Sequence, residues 1–119
     1  MKFQSKLHSY KLTNQLQLLF LQFDSKDKVA VTAWRAASVL APESEAPALT
    51  KILVTQLGRG DSDVQFDLTR FLCALGDCIV EPLTAAANSP KEEIRLQAEF
   101  TLMRYQEMKL ESAKKRTVG

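Results

Sequence analysis

Few side chains in this 119-residue chain have the type and spacing to do chemistry. His8 is the only histidine, and Cys73 and Cys78 are the only cysteines. Two thiols and one imidazole fall short of the four ligands of a structural zinc site. His8 stands near the N-terminus, away from any Ser–His–Asp or Cys–His arrangement, so a nucleophile activated by that base is not expected. Gly58-Arg59-Gly60 has the glycines of a phosphate loop but lacks the lysine and hydroxyl that complete it. Glu43 and Glu45 are spaced as a carboxylate pair, but they fall in a proline-bounded stretch that reads as a solvated loop. Trp34 could stack on a base. It lies beside Ala33 in an apolar run, however, and reads as core or half-buried. Cys73, between Leu72 and Leu75, reads as a small buried hydrophobe, and Cys78, just past Gly76-Asp77, as a second reduced thiol. No catalytic residue, cofactor site or metal site is therefore assigned, and the chain is expected not to be an enzyme.

The elements that must position these residues are helices. Composition is that of an ordinary globular domain, 45% hydrophobic and 25% charged with four glycines and four prolines, too little Gly and Pro for a loop-rich or disordered chain. No apolar run approaches the roughly 18 residues of a membrane span. The first ten residues lack the apolar h-region and cleavage site of a signal peptide. An intracellular protein, cytoplasmic or nuclear, is expected.

Charge is unevenly spread. The net charge is +2. Residues 1–23 carry Lys2, Lys6 and Lys11 without an acid, residues 24–108 carry nine basic and thirteen acidic groups, and Lys109, Lys114, Lys115 and Arg116 outnumber Glu111 in the tail. Basic ends on an acidic body can touch nucleic acid, or can simply be solvated.

Three segments repeat one apolar pattern. They are DKVAVTAWRAASVLA from Asp27, SDVQFDLTRFLCALG from Ser62 and EEIRLQAEFTLMRYQ from Glu92. Val29, Val64 and Ile94 form one column, and Val31, Phe66 and Leu96 the next. Ala33, Leu68 and Ala98 follow, then Ala37, Leu72 and Leu102, then Leu40, Leu75 and Tyr105. Within each copy the large residues recur at helical spacing. Each copy is preceded by a second apolar segment and a short polar break, and Leu18 to Val29, Leu53 to Val64 and Leu83 to Ile94 are each eleven residues. A fixed turn length implies equivalent helix pairs. Ser25 or Asp27, Asp61 or Ser62, and Ser89 before Pro90 supply N-cap chemistry. The predicted helices are 12–23, 27–41, 45–58, 62–75, 78–88 and 91–113, with a possible turn at 2–9, and the columns led by Val29, Val64 and Ile94 should form the core with Leu53 and Leu83.

On these residues the chain resembles the HEAT-repeat family, in its short variety. Leu83, Asn88-Ser89-Pro90, Glu92-Glu93, Ile94-Arg95 and Ala98 match that family's pattern, while Ala30 and Gln65 stand where its arginine is usual. Leu18 to Leu53 is 35 residues and Leu53 to Leu83 is 30, below the roughly 40 of longer HEAT repeats. The insertion at Pro42–Ala46 explains the difference between the two. The resemblance implies an all-α fold, a short right-handed α-α superhelix of about three helix pairs. That is one domain over 1–119, with a repeat core at about 12–108 and a polar basic tail at 109–119. It says little about function. Enzymes built on similar scaffolds need features missing here: one histidine excludes the paired His-Glu motifs of the di-iron hydroxylases, and nothing marks a tetrapyrrole site like that of the phycobilin lyases.

Surface is what remains. The resemblance implies a concave face lined by the second helix of each pair, where Lys51, Val54 and Thr55 match Glu81, Thr84 and Ala85. Their small size and mixed charge suit a protein or peptide partner better than a phosphate backbone. Leu12, Leu16, Leu19, Phe20 and Phe23 form an apolar stripe on the first helix that one neighbour cannot bury. Its cover is either Phe3, Leu7 and Tyr10 folding back, a partner, a second copy or an upstream repeat. The helix after Tyr105 turns polar and reads as capped. The expected function is a non-catalytic protein-interaction or scaffold module, alone or as part of a larger assembly. The alternative is a nucleic-acid-associated protein using the basic termini and the concave face. No membrane partner is expected.

Overall fold

The computed structural model describes residues 27–118, with side chains described as far as 115. The predicted helix at 12–23, with Leu12, Leu16, Leu19, Phe20 and Phe23, and the turn at 2–9 lie outside these residues. Within them the chain is all-helical: α1 (Asp27–Leu40), α2 (Ala46–Val54), α3 (Ser62–Ala74), α4 (Val80–Ala86) and α5 (Glu92–Val118), with single 3₁₀ turns at Glu43–Glu45 and Asp77–Ile79 leading into α2 and α4. The helices at 27–41, 62–75 and 91–113 are found with small shifts in their ends. Those at 45–58 and 78–88 are shorter: the first gives way to a turn at 55–58, and the second begins with a 3₁₀ turn and ends in a turn at 87–88. The chain winds back at Gly58, whose φ of 81° is left-handed, and Gly60 has φ 74°. A Cβ on Gly60 would lie 2.8 Å from the Val64 Cβ, so this turn excludes larger residues by sterics as well as by φ. Asp61 then caps α3, its carboxylate accepting from Val64 N at 3.0 Å.

Packing joins alternate helices. α1 lies against α3 and α3 against α5, while α2 lies against α4, and α4 also packs on α5. The odd helices thus form one layer and the even helices another. Leu53, Leu72, Ile79 and Leu83 are fully enclosed in the core they share, with Leu49 and Leu68 nearly so. Trp34 is 2% exposed. The Arg59 guanidinium lies 5.8 Å from the Trp34 ring centroid and ion-pairs Asp27 at 2.8 Å, closing the α2–α3 turn onto α1.

The predicted core is right in two columns and wrong in others. Leu68 and Ala98, and Ala37 and Leu72, are buried, Leu102 packs against them, and Ala33 is half-buried. Leu53 and Leu83 are buried as expected. Val29 is 41% exposed, while Val64 and Ile94 are half-buried and pack against the core. Phe66 and Leu96, each 51% exposed, lie on the outer surface rather than in the core. Leu40 is exposed too, although Tyr105 in its column is buried. The physical reason lies in the contact each helix makes. α1 turns Ala30, Trp34 and Ala37 inward, which carries Val29 to the exposed side of the helix.

Leu72→Ala is expected to cost about 2–5 kcal/mol, because Leu72 is fully buried. Val39→Ala, at a site 76% exposed, should change stability by no more than about 0.5 kcal/mol. Urea denaturation of the two variants checks this, and equal midpoints would remove Leu72 from the core.

Candidate functional site

Gln97 is the residue from which the site is built. Its side chain is 95% enclosed yet fully hydrogen-bonded. The Oε1 atom accepts from Gly58 N at 2.6 Å, and Nε2 donates to the Gln65 carbonyl at 2.8 Å and to Thr69 Oγ1 at 3.4 Å. Thr69 Oγ1 lies 2.9 Å from Thr101 Oγ1, and Thr101 donates to the Gln97 carbonyl at 2.8 Å. Because Thr101 spends its proton on that carbonyl, Thr69 must be the donor between the two hydroxyls. The chain of donors runs from Gln97 through Thr69 and Thr101 back to Gln97. Among the described residues no buried side-chain polar atom lacks a partner.

Above this floor lies a groove between α3 and α5. One part, of about 410 Å³, is walled by Phe66, Leu96 and Phe100 over Gln65, Thr69 and Gln97. An adjoining part, of about 420 Å³, shares Phe66 and Thr69 and continues past Cys73 to Arg70, Arg104 and Met108. Phe66 and Leu96 are each 51% exposed and Phe100 is 40% exposed. Glu93 stands at one end, and Arg70 and Arg104 at the other, where they pair with Asp67 at 3.6 Å and Glu107 at 3.2 Å. These arginine pairs are mostly solvated and add little stability. The floor's polar atoms are already committed to one another, so the groove can bind by covering apolar surface and scarcely by hydrogen bonding.

Chemistry at the groove is muted. Burial pushes the Cys73 thiol up, with Arg104 pulling weakly against it, so the sulfur stays protonated and serves as wall. Cys73 and Cys78 are both free thiols. No cluster of three His, Cys, Asp or Glu suited to a metal occurs among the described residues. No described helix is long and apolar enough to cross a membrane.

A second polar cluster closes the far side. Tyr105 donates a short hydrogen bond to Asp77, and Lys109 Nζ donates to the same oxygen at 3.1 Å while lying 5.6 Å from the Tyr105 ring centroid. The Tyr105 hydrogen bond, then Lys109, hold Asp77 below its ordinary value. The same hydrogen bond, followed by desolvation, pushes Tyr105 up to about 12.

The sequence-assigned surface residues fall elsewhere. Lys51, Thr55, Glu81 and Thr84 are all exposed on the even-helix layer. Thr55 Oγ1 donates to the Ile52 carbonyl at 2.6 Å and Thr84 Oγ1 to the Val80 carbonyl at 2.7 Å, so both hydroxyls are spent within their own segment. None of the grooves described here includes these four. The site missed by sequence reasoning is the outer face of Phe66, Leu96 and Phe100, residues two of which were assigned to core columns. The signal for it was present in α5, where Leu96, Phe100 and Met103 follow one another at helical spacing opposite Ala98, Thr101 and Tyr105.

Comparison with family models, with curated proteins and with solved structures gives no match in any of the three.

Gln97→Leu is expected to destabilise the fold by about 1–3 kcal/mol, since it strands the Gly58 N–H without its acceptor. Denaturant midpoints test this, and a neutral substitution would show that the Gln97 bonds add nothing net. Tyr105 should ionise last in an ultraviolet titration. Its raised value means that the bond stabilises the fold below pH 10, and that this contribution fades as pH climbs toward 12. Tyr105→Phe should remove the latest step of the titration, and its survival in the variant would assign that step elsewhere.

Proposed function

We propose that this chain is a HEAT-like α-solenoid module, a short right-handed superhelix of about three helix pairs, that binds other proteins and catalyses nothing. The observation that carries the reading is the groove between α3 and α5, with apolar walls and a floor whose polar atoms are already paired. Such a surface gains free energy by excluding water from large apolar side chains. It offers a small polar ligand few free hydrogen-bonding partners. The alternate packing of odd and even helices supports the solenoid reading, because repeats of that kind bury their faces against neighbours. The stripe of Leu12, Leu16, Leu19, Phe20 and Phe23, and the surface of Lys51, Thr55, Glu81 and Thr84, remain further contact candidates within this reading. We place the protein inside the cell, in cytoplasm or nucleus, as a single repeat domain with a basic tail.

Affinity capture by the whole chain, run beside a Phe66→Glu, Phe100→Glu double variant, tests the proposal. Partners held by the apolar groove should persist at high salt and be lost from the variant. The nucleic-acid alternative predicts the reverse: captured material rich in nucleic acid, indifferent to the double variant, and released steeply between about 50 and 200 mM salt.

A further inference from the structure

α5 is apolar on two sides and uses one of them. Ala98 and Thr101 are fully buried and Tyr105 is 8% exposed, all on the side turned to α3 and α4. Leu96, Phe100, Met103 and Leu110 follow at steps of four, three and seven residues, which keeps them on one stripe of a helix. They are 51%, 40%, 50% and 63% exposed. This is the spacing of a seam between two helices, with Glu107 at the one interrupted position. Helices of 27 residues span about 40 Å, whereas α3 beside it has 13 residues. The C-terminal half of α5 therefore runs on past the helix it packs against.

Charge along α5 is divided in the same way. Its first half carries Glu92, Glu93 and Glu99 against Arg95 and Arg104, and its second half carries Lys109, Lys114, Lys115 and Arg116 against Glu107 and Glu111. Parallel alignment of two such helices would set acid against acid and base against base. Antiparallel alignment pairs each half with its opposite, and a two-fold axis does so twice over.

We propose that the outer seam of α5 is a self-association surface, occupied by α5 of a second copy running antiparallel about an axis near Met103. In that register Leu96 meets Leu110 of the other copy, Glu92 meets Lys114, and Arg95 meets Glu111, against one like-charge pair, Glu99 with Glu107. Met103 meets itself, while Phe100 and Phe66 widen the apolar centre. Together the exposed parts of Phe66, Leu96, Phe100, Met103 and Leu110 amount to about 400 Å² of apolar side chain per copy. That is close to the apolar share of a standard interface, which buries about 800 Å² per partner and is a little over half apolar. The apolar seam supplies the affinity and the charges supply the direction. The proposal rests on reading this face as a protein-binding surface, and it names the partner.

Sedimentation equilibrium of the full chain tests it. The wild type should dimerise, and Leu96→Glu with Met103→Glu should weaken the dimer at least about 30-fold, the loss expected from a hot-spot side chain. Circular dichroism should be unchanged, since both sites are exposed. Lys114→Glu alone and Glu92→Lys alone should each weaken the dimer, and the two together should restore it. Met103→Cys should cross-link two copies on oxidation. A wild type that stays monomeric at high concentration overturns the proposal. So does a dimer that ignores the α5 variants and falls apart with Leu16→Glu, Phe20→Lys, which would assign the contact to the N-terminal stripe. A monomeric wild type whose captured partners are still lost from Phe66→Glu, Phe100→Glu rules out the second copy while leaving the interaction-module reading intact. If the monomer also captures nothing through that face, both fall.

Discussion

The carboxamide of Gln97 ties together three pieces of chain that are remote in sequence. Through Oε1 it holds the Gly58 N–H of the α2–α3 turn, and through Nε2 the Gln65 carbonyl and the Thr69 hydroxyl of α3, while belonging itself to α5. A backbone N–H in a tight glycine turn has no helical carbonyl to find, and leaving one buried and unpaired is costly. Arg59, one residue on, fastens the same turn to α1 through Asp27 and Trp34. The positions of α1, α3 and α5 are thus all referred to one turn. The left-handed conformations at Gly58 and Gly60 make that turn possible. Without it the odd helices would share apolar contact but no fixed offset along their axes.

That constraint also shapes the outer surface. A buried amide that engages the Gln65 carbonyl and the Thr69 and Thr101 hydroxyls leaves a seam between α3 and α5 whose side-chain polar atoms are paired. The apolar side chains next outward, Phe66, Leu96 and Phe100, cannot enter it and stand as walls instead. The exposed face is therefore the other side of the buried network. Cys73 lies on the boundary, its thiol 3.8 Å from the Thr101 carbonyl and its pKa pushed up by burial.

Much of the helical framework is legible in the sequence, because it depends on periodicity and turn chemistry that each segment carries locally. Asp61 caps α3 as its type and position imply, and Leu53, Leu72 and Leu83 are buried where the repeated columns place them. The candidate surface is not legible in the same way. Column equivalence shows that Phe66 and Leu96 occupy the same place in their helices, and the structure agrees that they do. It cannot show whether that place faces inward, since the answer depends on what the neighbouring helix offers. Gln97 sits between apolar residues and gave no sign of its burial. Its partner is a backbone N–H 39 residues away, and backbone donors leave no mark in a sequence. Lys51, Thr55, Glu81 and Thr84 were placed on the surface correctly as to exposure, yet exposure alone does not gather residues into a groove.

Equivalent helices need not be joined by equivalent contacts, and the third column pattern shows why. Trp34, Thr69 and Glu99 occupy one position in the three copies. In α1 the indole is buried between flanking Ala30 and Ala37, so small neighbours make room for one large ring. In α3 the threonine is buried because its hydroxyl has Gln97 and Thr101 to bond with. In α5 the glutamate is exposed, since no further described helix packs against that side. The joint between α1 and α3 is thus made by volume and by a cation over a ring, and the joint between α3 and α5 by directed hydrogen bonds. Volume tolerates rearrangement, whereas directed bonds fix distance and offset. The groove formed at the second joint inherits that fixity, which is what a preformed apolar binding surface requires if it is to meet a partner without first paying to order itself.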